Sequence, residues 1–287
     1  MVLVMTLLVR DEEEILEANM CYHLDQGIDH IIVTDNLSSD RSREIIQSFV
    51  SQGVATYLFE DSDTHSQSRW VTRMARMACE TFHADWVVHS DADEFWMPVG
   101  HQNLATFFSQ CQEWNIIEAR RHDFVCVQDE TAGDLPRPFW ERMTYRKTVS
   151  LNPLGNPLPP KVAHRPSEKA VVADGNHAVS GIEKPRKLKE GLEILHFPLR
   201  SRAQYTNKIR VGGRALMNNA ELPLNVGATW RKQYEELQKT GSLSFLESSI
   251  VNSEDLKTLI FSGAVVEDTR LKSALRELSP GLTPTGI

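Results

Sequence analysis

The sequence predicts an α/β protein: a mostly parallel sheet flanked by helices, with a helical C-terminal extension. Three observations predict it. Apolar runs alternate with helical periodicity through the first hundred residues, at roughly one unit per 25–30 residues. The resulting β-α-β-α-β-α-β order requires parallel strands joined by right-handed crossovers. A burst of carboxylates then follows the fourth apolar run directly, at the strand end where open α/β sheets bind ligands.

Val2–Val9 is the first strand, with Asp11 placed to cap a helix whose first turn is acidic at Glu12–Glu14. Ile15, Leu16, Met20 and Leu24 recur at helical spacing until Gly27. Ile28–Thr34 is the second strand, and the polar turn Asp35–Asp40 opens a helix through Ile45, Ile46 and Phe49 to Gly53. Val54–Phe59 is the third strand. Ser66 to His83 forms a long helix with Trp70, Met74, Met77 and Ala78 inward. The fourth strand is Trp86-Val87-Val88, and its continuation carries Asp91 and Asp93 to one side of the chain.

Beyond Trp96 the pattern loosens. Leu104–Cys111 reads as helix and Asn115–Val127 as strand. Asn152 to Pro166, with five prolines, reads as irregular. Ala170–Ala173 and Leu192–Phe197 are short strands around the turn Asp174-Gly175-Asn176-His177. From Ser201 the chain is helical, with breaks expected near Gly212-Gly213 and Pro223–Gly227. Helical pieces follow at Trp230–Lys239, Ser244–Ile250, Asp255–Phe261 and Thr269–Leu278. The expected organisation is a domain over 1–215, made of a nucleotide-binding half (1–100) and an acceptor half (101–215). Residues 216–287 form a helical cap or association surface, which leaves a homo-oligomer open.

Composition narrows the function classes. A net charge of −8 and a pI of about 5.7 give no basic footprint for nucleic acid or an anionic membrane. The four cysteines (Cys21, Cys79, Cys111, Cys126) show no C-x-x-C spacing, which argues against a zinc site and for reduced thiols. Met1–Val9 is too short to cross a bilayer and is followed at once by Arg10 and acidic residues, unlike a signal peptide. The expected location is the cytoplasm, free or peripheral to the inner membrane face.

Six constellations carry chemistry. In Asp91-Ala92-Asp93-Glu94, two like charges held close are costly unless a cation lies between them; a solvated acidic turn is the plainer account. Arg10-Asp11-Glu12 ends the first strand, where groups line the crevice for a base and ribose or else serve helix capping. Asp35 and Asp40 bracket a hydroxyl-rich turn that can accept hydrogen bonds from a base or ribose while Asp40 caps the next helix. Arg69, Arg73 and Arg76 share a helix face, which is either solvated or aimed at a diphosphate. His196, followed by Arg200 and Lys208, can complete an Asp/Asp/His shell suited to Mn²⁺ or Mg²⁺, with the cations left for a phosphate. His177, in its turn, is a weaker candidate base.

These residues resemble a family. Arg10-Asp11-Glu12, the Asp35…Ser38-Ser39-Asp40 loop and Arg73 resemble the nucleotide-binding half of family 2-type glycosyltransferases. Asp85-Trp86…Asp91-Ala92-Asp93-Glu94-Phe95, with His196-Phe197-Pro198-Leu199-Arg200-Ser201 and Lys208, looks like a bacterial branch related to family 92. The resemblance covers about residues 1–210. It implies a GT-A (Rossmann-like) fold, a nucleotide-diphosphate sugar as donor (a UDP-sugar first), a carbohydrate or glycoconjugate acceptor, and transfer with inversion. It implies further that Asp35 contacts the base, Asp91 the ribose or metal and Asp93 the metal, with His196 as third ligand to Mn²⁺ or Mg²⁺. Many family 2 enzymes carry a Glu-Asp pair further along the chain. Here Glu183 and the Asp174/His177 turn occupy that region, which leaves the catalytic base among them.

Other classes remain open. A nucleotidyltransferase carries a Gly-rich loop after its first strand, and Arg10–Glu14 has no glycine. A phosphohydrolase of the haloacid dehalogenase type has its Asp-x-Asp on the first strand, not the fourth. A non-catalytic sugar-nucleotide-binding protein leaves the carboxylates at the strand end unexplained.

Overall fold

The computed structural model describes residues 1–128, 137–152, 155–223 and 225–278. The chain runs β1 (Leu3–Val9), α1 (Glu13–Asp25), β2 (His30–Asn36), α2 (Ser42–Ser51), β3 (Ala55–Glu60), α3 (Gln67–Glu80) and β4 (Trp86–Asp91). It continues through β5 (Glu94–Pro98), α4 (Leu104–Gln110), β6 (Ile116–Asp123), β7 (Cys126–Val127), α5 (Phe139–Arg142) and β8 (Tyr145–Lys147). Next come β9 (Lys161–His164), β10 (Val171–Val172), β11 (Val179–Ser180), β12 (Lys187–Leu188) and β13 (Leu192–His196). The last part holds α6 (Arg202–Asn218), α7 (Ala228–Thr240), α8 (Ser244–Ser249), β14 (Ile250–Val251), α9 (Ser253–Phe261), β15 (Val265–Glu267) and α10 (Arg270–Leu278).

Two units are distinguished by their internal contacts: Met1–Arg121 with Pro159–Ile194, and His122–Leu158 with Leu195–Ile287. The first is a mixed α/β unit. Among the described residues nine strands form one sheet in the order β3-β2-β1-β4-β9-β6-β13-β5, with β12 on β6. The pairs β2/β3, β1/β2 and β1/β4 are parallel, as the alternation predicts, whereas β9 lies antiparallel to both β4 and β6. Strand alternation sorts the core into two layers. Leu3, Met5, Leu7 and Val9 of β1 pack with Leu16 and Met20 of α1, Ile45, Ile46 and Phe49 of α2, and Leu104, Phe107 and Phe108 of α4. Val4 turns the other way, with Ile32 and Val87, onto Val71, Met74, Ala75 and Ala78 of α3.

Four local expectations are corrected. The Asp91–Asp93 segment is not a strand continuation: β4 ends at Asp91, Ala92 and Asp93 make a turn, and β5 starts at Glu94. The polar face of α1 holds that turn. Asn19 Nδ2 donates to the carbonyls of Ala92 (3.0 Å) and Glu94 (2.7 Å), and Tyr22 Oη donates to that of Trp96 (3.1 Å). His23 Nε2 accepts from Trp96 N–H at 3.2 Å; burial lowers the His23 pKa to about 4, which keeps the ring neutral and able to accept. These side chains stand at i, i+3 and i+4, one stripe of a helix.

The stretch 152–166 is not irregular throughout. Lys161–His164, free of proline between Pro160 and Pro166, forms a buried strand in the middle of the sheet. Residues 153 and 154, and 129–136 of the polar loop at 129–138, lie outside the described residues.

In the second unit α6 runs unbroken through Gly212-Gly213. A side chain there has no room: a Cβ on Gly212 would stand 2.1 Å from Trp230 Cζ3, and one on Gly213 2.5 Å from Tyr234 Cβ, both on α7. The pair marks a close helix crossing rather than a break. Alanine at Gly213 ordinarily favours a helix by about 1 kcal/mol. Here Gly213→Ala is expected to destabilise by about 1–3 kcal/mol through overpacking, read as a lower urea midpoint; a higher midpoint would contradict the crossing. The C-terminal segment is also not wholly helical, since β14 pairs with β7 and β15 with β8.

Candidate active site

Register brings the predicted groups to one edge of the first unit. In the parallel ladder Asp35 of β2 lies opposite Val9 of β1, and Asp91 of β4 lies opposite Leu8. The two carboxyl-bearing residues therefore flank the end of β1, two strand spacings or about 10 Å apart. β2 and β3 lie on one side of β1 and β4 on the other, so the strand order reverses there. That reversal is a topological switch point, where open α/β sheets leave a crevice at the strand ends.

The two loops at this edge are laced together. Asp11 does not cap its own helix; it adopts a left-handed conformation (φ +55°), and its carboxylate accepts from Ser39 N–H (2.7 Å) and Ser39 Oγ (3.0 Å). Asp11, Glu12 and Glu13 donate their N–H groups to Ser38 Oγ, Ser42 Oγ and Asp40 Oδ2, at 3.1, 3.0 and 2.9 Å. Asp40 Oδ1 accepts from Ser42 N–H at 2.9 Å. Asp40 is thus a cap shared by α1 and α2. Glu12 is buried. Arg10 reaches Asn36 Oδ1 (3.2 Å) and Asp63 Oδ1 (2.8 Å), tying the end of β1 to the end of β2 and to the loop before α3. Asp35 is fully buried; it accepts from Ser38 N–H (3.0 Å) and Tyr57 Oη (2.9 Å), with Arg43 Nε at 3.6 Å. Burial, and then the Asp35 carboxylate, push the Tyr57 phenol upward.

The acidic stretch is built around a residue that the motifs did not single out. Lys161, 1% exposed, places Nζ 2.5 Å from Asp91 Oδ2 and 3.0 Å from Glu94 Oε1. The antiparallel register of β9 on β4 carries it there. Arg121 Nη1 stands 3.6 Å from the same Glu94 oxygen, and Glu94 Oε2 accepts from Asp91 N–H at 3.2 Å. Asp91 Oδ1 accepts from Asn176 Nδ2 (3.1 Å) and Gln67 Nε2 (3.3 Å). Asp91 keeps 31% of its side chain exposed, while Glu94 and Asp93 are buried. Asn176 Oδ1 is buried without a hydrogen-bond partner, an open acceptor beside Asp91.

The turn at 174–177 docks on the start of α3. Asp174 Oδ1 accepts from Ser68 N–H at 3.0 Å, and Gln67 Oε1 from Gly175 N–H at 3.1 Å. The His177 ring lies over Gly175, where a Cβ would meet Nε2 at 2.4 Å, so glycine is required. His177 Nδ1 donates to the Pro160 carbonyl at 2.9 Å, which leaves the lone pair on Nε2. Burial, and next the positive charges of Lys161 and Arg121, lower the His177 pKa to about 4.

The remaining candidates scatter. Arg73 is exposed and stands 3.6 Å from Glu60. Arg69 and Arg76 are exposed as well, so this face of α3 is solvated. Glu183, 86% exposed, faces Lys169 at 3.7 Å on the surface. In the second unit His196 Nδ1 bonds Asp123 Oδ1 at 2.7 Å. Arg200 is fully buried and donates to the Phe197 carbonyl at 3.2 Å, and Lys208 Nζ sits 5.9 Å from the centre of the Trp230 ring.

The fit to a divalent metal fails on chemistry. Such ions take oxygen or imidazole ligands, yet Lys161, Gln67 and Asn176 each set an N–H donor against the Asp91 carboxylate. Among the described residues, no group of three or more His, Cys, Asp or Glu side chains stands where it could hold a metal ion. Of the expected Asp91/Asp93/His196 ligand set, the two aspartates belong to the first unit and His196 to the second.

No helix among the described residues is long and apolar enough to cross a membrane. No protein-family model matches the chain, and no curated protein matches it. Among solved structures it is similar to S. aureus TarS residues 1–349 in complex with UDP, at 11% identity over 91% of this chain and 78% of that one, TM-score 0.43. It is also similar to HddC from Yersinia pseudotuberculosis (9% identity, 72% of this chain, 97% of that one, TM-score 0.36). Glucosyl-3-phosphoglycerate synthase from Mycobacterium tuberculosis, in complex with Mn²⁺, UDP-glucose and phosphoglyceric acid, is 16% identical over 42% of this chain and 44% of that one, TM-score 0.31. At such scores these are loose likenesses of fold.

Proposed function

We propose that the chain is a glycosyltransferase that moves a sugar from a nucleotide-diphosphate donor, a UDP-sugar first, to a carbohydrate or glycoconjugate acceptor with inversion. One observation carries the reading: the strand order reverses at β1 with Asp35 and Asp91 at the adjoining strand ends. The partly exposed Asp91 carboxylate suits the ribose hydroxyls of a nucleotide, while the buried Asp35 carboxylate holds the loop beside it through Ser38 and Tyr57.

In this reaction the acceptor oxygen attacks sugar C1 as the C1–O bond to the diphosphate breaks, through an oxocarbenium-like transition state. The acceptor proton passes to a base. His177 Nε2 is our candidate, because the Nδ1 bond to Pro160 fixes its tautomer and leaves the lone pair on Nε2.

A thermal-shift panel of UDP, GDP, CMP and ADP tests the reading. UDP at a hundred times its Kd is expected to add about 2.7 kcal/mol of stability and raise the melting temperature. No shift with any of the four, with or without Mn²⁺, would remove the nucleotide-sugar reading.

A further inference from the structure

Two carboxylates held close at a strand end call for a cation. The structure supplies one from the chain itself. Lys161 Nζ is shared between Asp91 Oδ2 and Glu94 Oε1, and Arg121 Nη1 stands 3.6 Å from the same Glu94 oxygen. The Asp91 and Glu94 carboxylates thus face the Lys161 ammonium and the Arg121 guanidinium. We propose that Lys161 is the resident cation of the acidic stretch, filling the position of a divalent ion, so that the donor is bound without metal. The second half rests on the donor-nucleotide reading above.

Three features favour this over a lysine parked in a metal site. The lysine cannot easily leave: its side chain is 1% exposed, and its strand β9 is hydrogen-bonded on both sides, to β4 and β6. A divalent ion placed against Asp91 would stand within a few ångströms of the ammonium, and in a low-dielectric interior that repulsion is large. Gln67 and Asn176 turn their amide nitrogens, not their amide oxygens, toward Asp91. With its charge already balanced, Asp91 no longer repels an anionic diphosphate and offers its exposed part as a hydroxyl acceptor. Lys161 acts through Asp91 and is a positioning residue.

The test uses Mn²⁺ alone and UDP alone. Electron paramagnetic resonance of metal-stripped wild-type protein is expected to show added Mn²⁺ remaining free. Lys161→Gln, which leaves Asp91 and Glu94 without their shared ammonium, is expected to bind Mn²⁺ at least about 10-fold tighter, equivalent to 1.4 kcal/mol. Lys161→Arg restores the wild-type result. Stoichiometric Mn²⁺ binding by the wild type that disappears in Asp91→Asn would overturn the proposal, and this titration decides it even if Lys161→Gln fails to fold. In the second arm the UDP shift is expected to be the same in EDTA and in Mn²⁺. A shift that needs Mn²⁺ would overturn the metal-free claim and leave the donor reading standing. No shift in either condition would remove the donor reading and the claim about donor binding with it, and the Mn²⁺ titration alone would then decide whether Lys161 is the resident cation.

Discussion

Replacing Glu94 with alanine is expected to lower the unfolding free energy by about 3–5 kcal/mol, the cost of breaking a buried ion pair on one side. Surface pairs are worth about 0–1 kcal/mol because water rescues whichever charge is left behind. Here it is not free to do so. Glu94 is fully buried, Lys161 is 1% exposed, and the Arg121 side chain is 10% exposed. Removing the carboxylate leaves Lys161 to Asp91 alone, strips Arg121 of its Glu94 contact at 3.6 Å, and deprives Asp91 N–H of the Oε2 acceptor at 3.2 Å. The turn itself should persist, since Asn19 grips the backbone carbonyl of residue 94 rather than its side chain. Urea unfolding of Glu94→Ala beside the wild type gives the difference. A loss below about 1 kcal/mol would place this cluster with the solvated surface pairs.

Local signals were strong where the fold is local. Each of the first four strands is an apolar run, and the helices between them carry their own periodicity, so the parallel half was legible from pattern alone. The acidic end of β4 was equally visible. Its cation was not, because Lys161 lies 70 residues further along, in a short strand hidden among prolines. No periodicity marks a four-residue strand, and no motif marks its register. Gly212-Gly213 misled for a related reason. Glycine ends helices when backbone freedom is needed, but here it admits the rings of Trp230 and Tyr234, a tertiary demand that the local sequence does not display. Asp11 and Asp40 show the same exchange between neighbouring loops. Each carboxylate is where a capping residue belongs, yet Asp40 serves the helix that Asp11 was expected to cap.

Replacing Asp91 with asparagine is expected to weaken UDP binding by about 10- to 100-fold, because a hydrogen bond to a charged group contributes about 1.5–3 kcal/mol and 1.4 kcal/mol is a factor of ten. The substitution keeps the shape of the side chain and removes its charge. Lys161 retains Glu94 at 3.0 Å, so the loss of stability should be smaller than in Glu94→Ala. That separation gives the experiment its force. Both residues share the lysine, but only Asp91 is partly exposed and flanks the end of β1. If Asp91 presents a carboxylate to a nucleotide, calorimetry should show lost affinity in a protein whose circular dichroism and urea midpoint stay near those of the wild type. Unchanged UDP affinity would instead make Asp91 a purely internal partner of Lys161, and the ligand edge of the sheet would have to be sought at Asp35 on the other side of β1.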